Sequence, residues 1–62
     1  QFEPRDLKVT NNDAVNSLFF TYIDYNTGLI ARANILPSSN ATFPIVGSVT
    51  SFSHDDFTEE VV

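Results

Sequence analysis

The chain has 62 residues, a net charge of −5 and no cysteine, methionine or tryptophan. A chain this short forms at most one domain and buries only about 60% of its unfolded surface. Without thiols it has neither disulfides nor a thiolate metal site, and its single histidine excludes a two-histidine zinc arrangement. Its only basic residues are Arg5, Lys8 and Arg32. So sparse a set argues against nucleic acid, which needs clustered cations for phosphate neutralisation, and against anionic membrane surfaces. No apolar run approaches the ~20 residues of a spanning helix, so membrane insertion is not expected.

Residues 1–6 read as an extended arm, since Pro4 pushes Glu3 toward extended geometry. Leu7 to Thr10 forms a short predicted strand, and Asn11-Asn12-Asp13 a turn, because these side chains bond their own backbone. Residues 17–36 then form the central feature, two strands folded around Asn26-Thr27-Gly28. The first arm is aromatic and β-branched, as suits a half-buried pleated surface. Gly28 supplies the positive φ of a three-residue loop with a bulge.

That loop pairs Tyr25 with Leu29 and puts Phe19, Thr21, Ile23, Tyr25, Leu29, Ala31, Ala33 and Ile35 on one nearly apolar face. Arg32 then lies opposite Tyr22, a geometry suited to a cation–π pair. A four-residue loop, Tyr25 to Gly28, shifts the register by one and instead gathers Leu18, Phe20 and Tyr22 with Leu29, Ala31, Ala33 and Ile35. Turn preferences favour the shorter loop.

Residues 37–41 are a polar connection opened by Pro37. Thr42 to Ser53 reads as a strand in which Pro44 requires an edge position or a strand beginning, and Gly47 a bulge or a close backbone approach. Residues 53–62 fit either a helix start, with Ser53 and Asp56 in capping-box positions and Phe57 and Val61 on one face, or an acidic tail. The expected fold is all-β: a small antiparallel sheet or partly open barrel of about four strands, with a possible C-terminal helical turn. Residues 1–62 read as one small β module, and the missing staples and non-methionine start suggest a piece of a larger protein or assembly.

Chemistry-bearing motifs are few. Asp24-Tyr25-Asn26-Thr27-Gly28 opens like a calcium loop but lacks its later ligands, and reads as a hairpin turn. His54-Asp55-Asp56 resembles a solvated acid cluster more than a metal or acid–base site. Serine, histidine and carboxylates occur, but with no G-x-S-x-G elbow and little chain for a cleft; enzymatic activity is not expected, nor a cofactor. Asn40-Ala41-Thr42 is a glycosylation sequon.

The expected role is a non-enzymatic structural or interaction module, working by sheet packing or strand addition within a virion, fibre or surface assembly. A protein partner or self-association follows, with Phe20, Tyr22, Tyr25 and Arg32 as contact residues and Leu7–Thr10 or Thr42–Ser53 as the pairing edge. A carbohydrate- or ligand-binding module using the aromatic hairpin face is the alternative, and a protease inhibitor presenting residues 37–44 a third. Frequent Asn, Ser and Thr favour an extracellular or virion setting over the cytoplasm.

Overall fold

The computed structural model describes residues 3–62, and Gln1 and Phe2 of the expected arm lie outside them. Five strands form: β1 (Arg5–Asn11), β2 (Leu18–Asp24), β3 (Ile30–Ile35), β4 (Asn40–Thr50) and β5 (Phe57–Val61). They make one open sheet in the order β3-β2-β4-β1-β5, with antiparallel neighbours throughout. The all-β expectation holds, with two changes. Arg5 and Asp6 belong to β1 rather than to an arm, and residues 57–61 form a fifth strand rather than a helical turn. The strand wins at the C-terminus because β1 offers a ladder: Leu7 faces Val61 and Val9 faces Glu59.

The hairpin adopts the longer loop. Leu18 faces Ile35, Phe20 faces Ala33 and Tyr22 faces Ala31. The Asp24 amide donates to the Leu29 carbonyl at 3.0 Å, and Gly28, at φ 74°, donates to the Asp24 carbonyl at 2.7 Å. This corrects the three-residue loop. Side chains inside the turn support the longer one: Asp24 Oδ1 accepts from the Asn26 amide at 2.7 Å and Thr27 Oγ1 from the Leu29 amide at 3.1 Å. The core decides between the two, because this register alone buries Leu18 and Phe20 together with Ala33 and Ile35.

Strand β4 is central, which corrects its expected edge position. Its first half pairs with β1 and its second with β2. Asn11 donates to the Ser39 carbonyl at one end, and the Phe19 carbonyl accepts from Ser53 at the other. Along an unbent strand those levels lie about 46 Å apart. The eight residues from Asn11 to Phe19 span at most about 29 Å, and the longest dimension of the molecule is 32 Å. The path from Ser39 to Ser53 must therefore bend, within β4 and again at Ser51, which holds φ 65° just beyond its end. The bend within β4 falls where the β2–β4 register shifts between Thr21 and Ile23, around Gly47 at φ 78°. A bulge with a positive-φ glycine is the usual corner of a strand that serves two layers.

Pro44 is tolerated for a related reason. A residue's N–H and C=O point to the same side of a strand. The Pro44 carbonyl accepts from the Tyr25 amide at 3.2 Å, so the missing N–H faces the hairpin loop, beyond the end of β2, and not the β1 ladder.

The fold-over makes the core. Leu7, Val9 and Ile45 meet Leu18, Phe20, Ala33 and Ile35 in one buried cluster. Phe20 is its centre, with ring centroids 5.2 Å from Phe43 and 5.1 Å from Phe52, and Phe52 stacks on Phe57 at 4.1 Å. These last two rings let the 51–56 connection and β5 close over the cluster.

Candidate interaction surface

The four residues expected to form a contact face do not share one. Phe20 is 2% exposed at the core centre. Tyr22 is on the same inner side, its ring 6.1 Å from Phe20 and 5.4 Å from Phe43. Burial, followed by the charge of Asp24, pushes its hydroxyl pKa up from 10.0. Arg32 faces Thr21 across the hairpin, on the outer side and exposed. The cation–π pair with Tyr22 is therefore absent, because the one-residue register change puts the two on opposite faces. Tyr25 sits in the turn, and its hydroxyl donates to Asp6 Oδ1 at 2.8 Å, tying the hairpin tip to β1.

The remaining motifs resolve as local structure. Asp24 Oδ1 is engaged by the turn, as above. His54 Nδ1 accepts from the Asp56 amide at 3.0 Å, and its Nε2 is buried without a partner among the described residues. No group of three or more His, Asp or Glu side chains placed to hold a metal ion occurs among the described residues. Asn40 is exposed as the first residue of β4. The expected inhibitor loop is not a loop: residues 40–44 are paired with β1, which leaves only a short connection at residues 36–39.

The topology places the sheet edges at β3 and β5, not at β1 or β4. Hydrogen-bond phase tells which backbone groups each edge presents. Asp24–Leu29 is a hydrogen-bonded pair, so Tyr22–Ala31, Phe20–Ala33 and Leu18–Ile35 are the following ones. Ile30, Arg32 and Asn34 therefore direct their N–H and C=O groups outward. On the other edge Val62 donates to the Asp6 carbonyl at 3.0 Å, so Lys8–Glu60 and Thr10–Thr58 are paired inward. Phe57, Glu59 and Val61 direct their backbone outward, the Phe57 amide turning back to the Asp55 carbonyl at 3.0 Å.

The two edges differ in character. β5 carries Glu59 and Glu60, the charge device that normally discourages edge-to-edge pairing. β3 carries a single charge, Arg32, and begins with Ile30, 75% exposed, after Leu29, 68% exposed. Behind this edge, on the outer face, lies a shallow open concavity of about 370 Å³. Thr21, Ile23, Ile30, Val46, Ser48 and Thr50 contribute to its mostly apolar lining. With Phe19 on the same face, half exposed, this side of the hairpin presents apolar side chains to solvent. Sequence reading missed Ile30 and Asn34, since the alternation of β3 is visible but its position at the sheet margin is not.

Comparisons of the chain with protein-family models, with curated proteins and with solved structures find no match.

Proposed function

We propose that this chain is a non-enzymatic interaction module of a larger assembly that works by strand addition at the β3 edge. The observation that carries the reading is the contrast between the edges: β3 directs the backbone of Ile30, Arg32 and Asn34 outward beside an exposed apolar face, while β5 carries two acids that oppose pairing with another acidic edge. An added strand would satisfy those groups and cover the outer face of the hairpin, main-chain bonds giving affinity and the concavity giving selectivity. The single Arg32 favours an acidic or neutral strand over a basic one.

The test is amide NMR of the whole chain titrated with synthetic seven-residue extended peptides of acidic, neutral and basic composition. The expected result is saturable shifts and slowed exchange at Ile30, Arg32 and Asn34, strongest with the acidic peptide, while Ala31 and Ala33, already bonded to β2, keep their protection. Peptide-independent spectra at those three amides would refute strand addition at β3.

A further inference from the structure

We infer that the strand received by β3 is β5 of a second copy of this chain, so that copies join head to tail into an extended sheet. The inference rests on the strand-addition reading and names its partner. Three observations carry it.

The first is register. An antiparallel addition must join outward-directed residues to outward-directed residues. Those on β3 are Ile30, Arg32 and Asn34, and those on β5 are Phe57, Glu59 and Val61. The alignment that joins them sets Ile30 against Val61, Arg32 against Glu59 and Asn34 against Phe57, of which only the carbonyl takes part because the Phe57 amide donates to the Asp55 carbonyl.

The second is the chemistry of those pairs. Arg32 and Glu59 are opposite charges, and both are exposed. Ile30 and Val61 are apolar and 75% and 63% exposed, so their pairing removes two solvated aliphatic side chains from water.

The third is what charge does to the competing symmetric junctions. Two β3 edges aligned over the same residues set Arg32 against Arg32, and two β5 edges set Glu59 against Glu59. Like charges directly opposite are destabilising. Pairing between copies is thereby directed away from closed two-fold dimers and toward the heterologous junction. Such a junction uses a different edge on each side and leaves one of each open, so it propagates. Opposed residues lie on one face of the joined sheet. Because Arg32 is on the outer side of its copy and Glu59 follows the inward phase of Val9, successive copies alternate in the face they turn to one side.

Sedimentation velocity of the whole chain over a concentration series at low salt tests this, with Arg32→Glu and Glu59→Arg compared alone and mixed. Both sites are exposed, and circular dichroism checks that each variant keeps its β signal. The wild type should show a growing series of species. Either variant alone opposes like charges at every junction and should associate about tenfold more weakly, the swing from an attractive to a repulsive cross-strand pair. The equimolar mixture should recover wild-type association, because each variant's β3 then meets the other's β5 with opposite charge. Association that ignores both swaps, a closed dimer, or a mixture no stronger than its components would overturn the inference. So would a wild type that stays monomeric at millimolar concentration. In that case peptide-induced shifts at Ile30, Arg32 and Asn34 would still uphold strand addition with a different partner, and their absence would remove both.

Discussion

The side-chain amide of Asn11, near the end of β1, donates to the carbonyl of Ile35, the last residue of β3, at 3.1 Å. These strands are not neighbours, since β2 and β4 lie between them in the sheet. The same nitrogen lies 2.9 Å from the Asn16 carbonyl and 3.3 Å from that of Leu36, and Oδ1 accepts from the Asp13 amide at 3.0 Å. Asn11 is fully buried, the one buried polar residue among those described. It pins the folded-over sheet shut at one end, in the role a closing ladder has in a barrel.

Replacing Asn11 should therefore cost more than its size suggests. Asn11→Ala strands buried carbonyls and one amide, and an expected loss of about 2–4 kcal/mol follows from unsatisfied buried groups. Asn11→Asp should be at least as damaging at neutral pH, because a carboxylate donates nothing to those carbonyls. Urea denaturation of both variants measures this; a midpoint unchanged by Asn11→Ala would deny the pin its role.

The hairpin register makes an opposing pair of predictions. Phe20→Ala empties the centre of the aromatic cluster and should cost about 3–5 kcal/mol, enough to unfold so small a domain. Phe19→Ala, on the outer face, should change stability by less than about 1 kcal/mol. Thermal melts of the two variants reversed in rank would restore the three-residue loop.

Gly47 and Gly28 both hold positive φ, at 78° and 74°. Gly28 is exposed, and an added Cβ there meets nothing within 4 Å. Gly28→Ala should thus cost only the conformational term, about 1 kcal/mol, and Gly28→Asn less, since asparagine tolerates this region. Gly47 is buried at the bend of β4, and Gly47→Ala should cost more than Gly28→Ala. Equal losses in chemical denaturation would show that the corner is not set by Gly47.

The Asp13 carboxylate is held down from 3.8 to about 2, first by the Asn16 amide, then by the Val15 amide and the Asn16 side chain. These bonds measure 2.9, 2.8 and 3.1 Å. A carboxylate whose folded pKa is depressed stabilises the fold above its unfolded value, and that contribution is lost as pH falls through the folded value. Stability should decline from just above pH 4 down to about pH 2. Asp13→Ala should flatten that part of the stability–pH curve; an identical acid limb would exclude the loop from acid unfolding.

Both tyrosines should ionise above 10.0, for different reasons. Tyr25 is raised first by its hydrogen bond to Asp6, and Tyr22 first by burial. A raised tyrosine pKa adds stability present below the unfolded value and lost as pH rises through the folded one, so the alkaline limb begins above 10.0. In an ultraviolet titration, Asp6→Asn should lower the Tyr25 midpoint and leave that of Tyr22 in place. If neither moves, the Tyr25–Asp6 bond does not hold in solution.

How much of this was legible from the chain can be traced through particular residues. The Leu18–Asp24 and Ile30–Ile35 strands were readable because alternation and the Gly28 turn signal are local. The loop length was not, since apolar residues occur on both hairpin faces and only contact with Leu7, Val9 and Ile45 chooses between the registers. β5 was hidden because Phe57 and Val61 suit a helix face as well as a strand, and the ladder with β1 settles the matter. Of the four residues expected to make contacts, Tyr25 and Arg32 are exposed, Tyr22 is half-buried and Phe20 is buried, because the hairpin register turns Phe20 and Tyr22 inward.

By itself the sequence determined the all-β class, the central hairpin and the want of thiol, cationic or spanning-helix chemistry, all properties of composition and short spacing. Tertiary structure alone decided the order β3-β2-β4-β1-β5, and with it which strands are edges and which backbone groups face outward. It also decided the burial of Asn11, whose partners lie up to 25 positions away. The reason is physical. Strand identity is written in neighbouring side chains, whereas strand order is chosen by which arrangement buries Phe20, Leu18 and Ile45 together.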